Sequence, residues 1–168
     1  MKFDYKKYIR SHLLSLTPYQ SAREEFEAEG RSMILMDANE NPFESDVNRY
    51  PDPMQRELKK EISQWRGVDE NQIYLCNGSD EFISNVIMGC CEPGRDSIMI
   101  LPPTFGMYKV SAKTYGVGIQ EVPLIKSFQL DIESILKTAD ENSKIIFIPT
   151  PNNPTGNNFN FEAIELLI

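Results

Sequence analysis

Histidine is almost missing from this 168-residue chain, with His12 its single example. A histidine-based catalytic triad or a histidine-rich zinc site therefore finds almost no material here, and no metal site is expected. Cysteine is scarce as well. Cys76, Cys90 and Cys91 lack metal-ligand spacing. An odd count with two neighbours adjacent reads as free, buried thiols in a reducing compartment, which places the protein in the cytoplasm. No apolar run approaches the roughly 20 residues that span a bilayer, and the start Met1-Lys2-Phe3-Asp4-Tyr5-Lys6-Lys7 has no apolar stretch behind it, so it is not a signal peptide. Positive charge is in deficit: 17 Lys and Arg against 25 Asp and Glu leave a net charge of −8. That balance argues against nucleic acid or an anionic membrane as a main partner. No G-x-G-x-x-G or G-x-x-x-x-G-K-[ST] follows any strand, so a nucleotide-binding α/β domain lacks its signature.

What is present is an alternation. After a weakly periodic arm with a helix at 6–15 and a short strand at 33–36, Met54, Leu58, Ile62 and Trp65 fall on one helical face. That predicts a helix over 53–66, with Asp52 as N-cap, Pro53 in the first turn and Gly67 at the exit. Strands are then predicted at 73–76, 97–101, 119–123 and 144–149, alternating with helices at 80–91, 104–115 and 131–139 and another from Phe161. Such alternation implies βαβ units and a mostly parallel, doubly wound α/β sheet with helices on both faces. Residues 161–168 are amphipathic without an exit signal, so the chain is expected to be truncated. The expected division is 1–43 as an N-terminal arm or small-domain segment and 44–168 as the first part of a large domain.

Three turns follow predicted strands. Asn77-Gly78-Ser79-Asp80-Glu81 opens a helix, whose first N–H groups lack intrahelical partners and whose dipole is positive there, so it can cradle a phosphate. The plainer reading is an ordinary N-cap. Pro102-Pro103-Thr104-Phe105-Gly106-Met107-Tyr108 places an aromatic ring where it can stack on a flat heterocycle; the plainer reading is a core aromatic. Pro151-Asn152-Asn153-Pro154-Thr155-Gly156 offers amides to a ring hydroxyl, or is simply a turn-rich connection. Together the turns supply a phosphate cradle, a stacking face and a polar finger, which are the needs of a phosphorylated aromatic cofactor.

The segment at 151–156 resembles the signature loop of fold-type I pyridoxal-phosphate (PLP) aminotransferases, whose large domain has the aspartate aminotransferase-like sheet. Four further stretches, Leu16 to Arg23, Asp37-Ala38-Asn39-Glu40-Asn41-Pro42, Arg49-Tyr50-Pro51-Asp52 and Pro102 to Tyr108, resemble the histidinol-phosphate aminotransferase subfamily in order and spacing. The resemblance runs from about residue 10 to 168, the first part of a protein about twice as long.

The resemblance implies PLP as cofactor, its phosphate held by Gly78, Ser79 and Asp80, its ring stacked on Phe105, and its phenolic oxygen bonded by Asn153 across a cis Asn153–Pro154 bond. Relatives often carry Tyr where Phe105 stands, and either ring stacks. Tyr50 would reach the partner subunit's cofactor phosphate in a homodimer. Tyr19, Asn39 and Tyr50 would line the substrate pocket. The implied reaction is reversible transamination of L-histidinol phosphate with 2-oxoglutarate, giving imidazole acetol phosphate and L-glutamate, in histidine biosynthesis. The Schiff-base lysine, the aspartate that pairs with the pyridine nitrogen and the substrate-binding arginines come later in the family's sequences, so no catalytic residue is expected within this chain and the chain alone is expected to be inactive. The competing expectations are another fold-type I aminotransferase, a threonine-phosphate decarboxylase, or a non-enzymatic fragment.

Overall fold

Ser97-Ile98-Met99-Ile100 forms the central strand, β1, because this apolar run can be buried on both faces at once. In the computed structural model, which describes residues 4–19, 36, 38–43 and 45–168, side chains alternate about this strand. Ile98 and Ile100 turn to one face with Ile83, Ile87, Tyr108 and Ala112. Met99 and the following Leu101 turn to the other with Val122, Leu130, Ile135 and Phe159. Each of the buried Ile, Leu, Val, Met and Phe side chains contributes about 1.5–3 kcal/mol by leaving water.

The helices and the remaining strands follow from that core. α1 is Ser11–Leu14 and α2 is Arg56–Arg66. α3 spans Gly78–Cys90, α4 Met107–Thr114, α5 Ile132–Thr138 and α6 Phe161–Glu165. β2 is Gly118–Glu121 and β3 Ser143–Ile146, and the parallel sheet has the order β2-β1-β3. Gly118 lies opposite Ser97, where an added Cβ would stand 3.2 Å from the Ser97 Cβ; the residue is small because the strands meet closely there. α3 and α4 cover the first face, while α5 and the side chains Ala163, Ile164 and Leu167 cover the second. This is the doubly wound α/β layering predicted from the sequence.

The order 2-1-3 has a consequence for function. The chain leaves β1 for α4 on one face, and leaves β3 for α6 on the other. β1 and β3 are neighbours, so their outgoing connections diverge and leave a crevice at the carboxyl ends, the topological switch point where ligands of such sheets bind.

Several expectations are corrected. The helix at 6–15 is broken into a 3-10 turn, Tyr5–Lys7, and α1. Arg10 between them is extended, since its N–H donates to Gly89 O at 2.9 Å and its guanidinium pairs with Glu92 at 3.0 Å and bonds Met88 O at 3.0 Å. Tertiary contacts at the end of α3 override local helix preference. α2 starts at Arg56, not at 53, because Gln55 is left-handed with φ 51. Asp52 nonetheless caps its entry, accepting from Met54 N and Arg56 N, and Gly67 terminates the helix at φ 66 as predicted. The stretch 73–76 is irregular and joins no ladder among the described residues. α4 begins three residues after Thr104, which stays in the turn. Of the expected strand at 33–36 only Met36 is described, and it is irregular.

By its internal contacts the chain forms two units, one of Met1–Leu16 with Cys76–Ile168 and the other of Thr17–Leu75. These differ from the expected 1–43 and 44–168 division, which concerns the domains of a longer protein and stays a proposal. In the second unit α2 presents Leu58 and Trp65 as exposed side chains, so the apolar stripe read from its sequence is not a core face among the described residues. Arg66 covers part of it, its guanidinium 4.1 Å from the centre of the Trp65 ring. No helix among the described residues is long and apolar enough to cross a membrane.

Candidate functional site

The turn at 77–81 is placed by α3. This helix precedes β1 by a short connection and runs antiparallel to it, which sets its first turn at the carboxyl edge of the sheet. Gly78 opens the helix with φ 78, and an ideal Cβ there would meet nothing within 4 Å. Glycine is thus required by the backbone, while the space above it is open to an incoming group. Ser79 and Asp80 follow, both exposed. The carboxylate of Glu81 turns back to accept from Asn77 N, and Cys76 Sγ donates to Gly78 O at 3.2 Å. These bonds occupy the rim of the turn. A 13-residue helix aims its positive end at this edge.

The turn after β1 begins at Leu101 and passes a cis Pro102–Pro103 bond. Phe105 is half-buried and rests edge-on against Tyr108, ring centroids 5.6 Å apart and planes at 85°. Tyr108 in turn stacks on Phe147 at 4.3 Å and 11°. The stack runs from the start of α4 to the end of β3 and backs Phe105 with two packed rings. Burial pushes the Tyr108 phenol above its ordinary pKa, so it stays a neutral supporting ring.

The turn after β3 carries cis bonds at Thr150–Pro151 and Asn153–Pro154. Its two asparagines differ sharply. Asn152 is 3% exposed, and Asn153 is exposed. Asn152 Nδ2 donates to Pro103 O at 3.0 Å and to Thr155 Oγ1 at 2.6 Å, and its Oδ1 accepts from Thr104 Oγ1 at 3.4 Å. Its backbone N–H donates to Asn157 O at 2.8 Å and its carbonyl accepts from Gly156 N at 2.7 Å. Asn152 therefore stitches the turn after β3 to the turn after β1, across the crevice between them.

Gly78, Ser79, Asp80, Phe105 and Asn153 thus all stand at one edge of one sheet, within a single unit. Tyr19, Asn39 and Tyr50 belong to the other unit. There Asn39 and Tyr50 line one cavity of about 350 Å³, and Tyr50 with Pro51 also borders a second of about 600 Å³. Glu40 joins them. Its carboxylate, 3% exposed, accepts from Tyr50 N at 2.9 Å and from Arg49 Nη1 at 2.9 Å. Tyr19 is 89% exposed and lines neither cavity. Gln20 to Arg23 and Asp37, quoted in the resemblance, lie outside the described residues. No group of three or more His, Cys, Asp or Glu able to hold a metal occurs among the described residues.

One position escapes a reading of the sequence, and another is only hinted at by it. Asn152 is indistinguishable there from its neighbour, since only the topology makes it internal. Glu40 carries a weak signal: an acidic residue between two asparagines in a turn, ten residues before a tyrosine whose N–H it accepts.

The chemistry of the carboxyl edge fits a phosphorylated aromatic cofactor. An open helix end with a positive-φ glycine and a serine hydroxyl suits the phosphate, a braced ring suits a heterocycle, and an unburied amide suits a ring oxygen.

A model of the family described as aminotransferase class I and II matches residues 32–168. The chain is 45% identical over 166 residues to histidinol-phosphate aminotransferase of Christiangramia forsetii, covering 99% of this chain and 47% of that protein. It is 47% identical over 167 residues to the protein of the same name from Flavobacterium johnsoniae, covering 99% of this chain and 48% of that one. The chain thus spans about half the length of the curated relatives it matches. Among solved structures, histidinol-phosphate aminotransferase from Clostridium acetobutylicum superposes with a TM-score of 0.63 at 29% identity, over 73% of this chain and 35% of that one. Tyrosine aminotransferase from Leishmania infantum gives 0.65 at 23% identity, over 73% and 36%, a likeness of fold.

Proposed function

This chain belongs to the class I and II aminotransferases, and from that premise we propose that the whole protein is a PLP-dependent enzyme that transfers the amino group of L-histidinol phosphate to 2-oxoglutarate. The observation that carries the proposal is the convergence of three turns on the switch-point edge, with the near-half identity to two proteins named for this reaction beside it. The Gly78–Asp80 turn would hold the cofactor phosphate, by N–H groups at the helix end and the Ser79 hydroxyl. Phe105, braced by Tyr108 and Phe147, would hold the ring by one face. Asn153 would donate to the phenolic oxygen. When bound, the cofactor supplies an electron sink and a carrier for the amino group. The chain's own contribution is to bind and orient it.

Tyr50 would serve the cofactor phosphate of a partner subunit in a homodimer, with Glu40 holding its backbone. Tyr19 and Asn39 would face the substrate. Lys144 is the last lysine of the sequence and precedes the 151–156 turn. None of the lysines present therefore follows that turn, and the 168-residue chain by itself is expected to show no transamination. The enzyme is expected in the cytoplasm, acting on small molecules.

The test is glutamate formation by the complete gene product with PLP and 2-oxoglutarate, comparing L-histidinol phosphate with unphosphorylated aromatic amino acids. Preference for the phosphorylated amine is expected. Preference for an aromatic amino acid would make it a different aminotransferase, and loss of carbon dioxide from threonine phosphate would make it a decarboxylase.

A further inference from the structure

Asn153 is free to meet a ligand, but Asn152 is not. An asparagine amide has two N–H donors, and both of Asn152 are committed, one to Pro103 O and one to Thr155 Oγ1. Its oxygen is engaged by Thr104 Oγ1. A residue with every donor engaged and 3% exposure cannot itself serve a cofactor. It does lie one residue from Asn153, and its partners Pro103 and Thr104 lie two and one residues from Phe105. Consecutive Cα atoms are about 3.8 Å apart. The group meant to touch the ring's oxygen and the group meant to touch its face are therefore held to one another through Asn152, and not only through their separate strands.

We infer that Asn152 is a positioning residue, which sets the distance between Asn153 and Phe105 and so the fit of the cofactor ring. The inference rests on the cofactor reading above. The Asn152 amide is buried while its partners are partly exposed, so it is the amide that bears the desolvation cost of a lost bond. Small displacements matter at such a site: a shift on the order of 1 Å in a reacting geometry costs about 100-fold.

The test uses the complete gene product loaded with PLP. Asn152→Asp keeps the shape and the acceptor for Thr104 but turns an acceptor toward Pro103 O, opposing the carbonyl. PLP affinity, followed by the absorbance of the bound cofactor, is expected to weaken about 10–100-fold, the equivalent of one to two lost hydrogen bonds. The second readout is the pH midpoint of that absorbance. A hydrogen bond from Asn153 stabilises the ionised phenolic oxygen, so Asn153→Ala raises the midpoint, and Asn152→Asp is expected to raise it in the same direction. A new carboxylate at 152 could raise the midpoint by its charge alone, so the deciding readout is the uncharged Thr155→Val, in which a merely structural role would leave the midpoint unmoved.

Thr155→Val breaks the network from the other side and is expected to give the same readouts, whether or not Asn152→Asp folds. Wild-type affinity and midpoint in Thr155→Val would overturn the positioning role and leave the cofactor reading standing, as would weakened affinity with an unmoved midpoint. Failure of the wild-type protein to bind PLP would overturn both.

Discussion

Asp96 closes the turn between α3 and β1, and its removal should cost more than any surface change. Its carboxylate accepts from Glu92 N at 2.8 Å and from Arg95 Nε and Nη2 at 2.8 and 3.1 Å. The Asp96 side chain is 1% exposed, whereas that of Arg95 is 64% exposed. The two partners therefore count unequally. Arg95 returns to water on losing its partner, and an exposed pair of this kind is worth at most about 1 kcal/mol. The bond from the Glu92 N–H to a buried carboxylate is charge-assisted and worth about 1.5–3 kcal/mol. Asp96→Ala should thus cost about 2–4 kcal/mol. For a chain of this size each kcal/mol lowers Tm by about 2–4 °C, so the fall is about 5–15 °C. Asp96→Asn keeps the shape and loses the charge, and should cost about half as much.

The pH dependence has a definite sign. The Arg95 hydrogen bond, aided by that from Glu92 N, holds the Asp96 carboxyl below its ordinary value of 3.8 against the opposing effect of burial. A group whose folded pKa is depressed stabilises the fold above its unfolded value, and that stability is lost as pH falls through the folded one. The gap between wild type and Asp96→Asn in urea unfolding should therefore be full at pH 7 and shrink below about pH 3.8. A loss under about 0.5 kcal/mol in Asp96→Ala, or a gap that stays constant into acid, would refute this reasoning.

Other predictions follow the same physics. Asn152→Ala strips three side-chain hydrogen bonds and should lower unfolding free energy by about 2–4 kcal/mol, while Asn153→Ala, on an exposed side chain, should stay within about 0.5 kcal/mol; equal losses in urea titrations would contradict the division of labour between them. Burial, with lesser help from Cys90 and Asp96, pushes the Cys91 thiol up to about 12, so its thiolate is nearly absent at pH 8 and iodoacetamide should label Cys76 well before it; mass spectrometry showing comparable rates would count against the buried assignment. Glu40→Ala leaves the Tyr50 N–H without its acceptor and should speed hydrogen exchange at that amide by about 5–30-fold, the equivalent of about 1–2 kcal/mol; unchanged exchange would remove the clamp. With Leu58, Trp65, Leu136 and Leu166 exposed, the 168-residue chain should associate as its concentration rises, and sedimentation as a monomer across the micromolar range would argue otherwise.

The parts of this fold that could be read from sequence are those where local chemistry and burial agree. The run at 97–101 is apolar at every position after Ser97, which only a strand covered on both faces accommodates. Gly67 closes α2 at the exit its place after the apolar stripe predicted. The parts that could not be read depend on distant partners. Arg10 looks helical until Glu92 and Met88 hold it. Residues 73–76 look like a strand, but a strand needs a neighbouring edge, which the local pattern does not contain. The same limit applies to the site. Gly78, Ser79, Phe105 and Asn153 could be picked out because each sits in a turn after an apolar run. Asn152 could not, because what sets it apart from Asn153 is the crevice created by the strand order.

A crystal structure of the complete gene product with PLP tests the account most directly. The prediction is a cofactor at the carboxyl edge of the sheet, its phosphate on the N–H groups of the Gly78–Asp80 turn, its ring against Phe105 and its phenolic oxygen within hydrogen-bond distance of the Asn153 amide. A phosphate held anywhere other than that turn, or a ring that leaves Phe105 and Asn153 untouched, would contradict it.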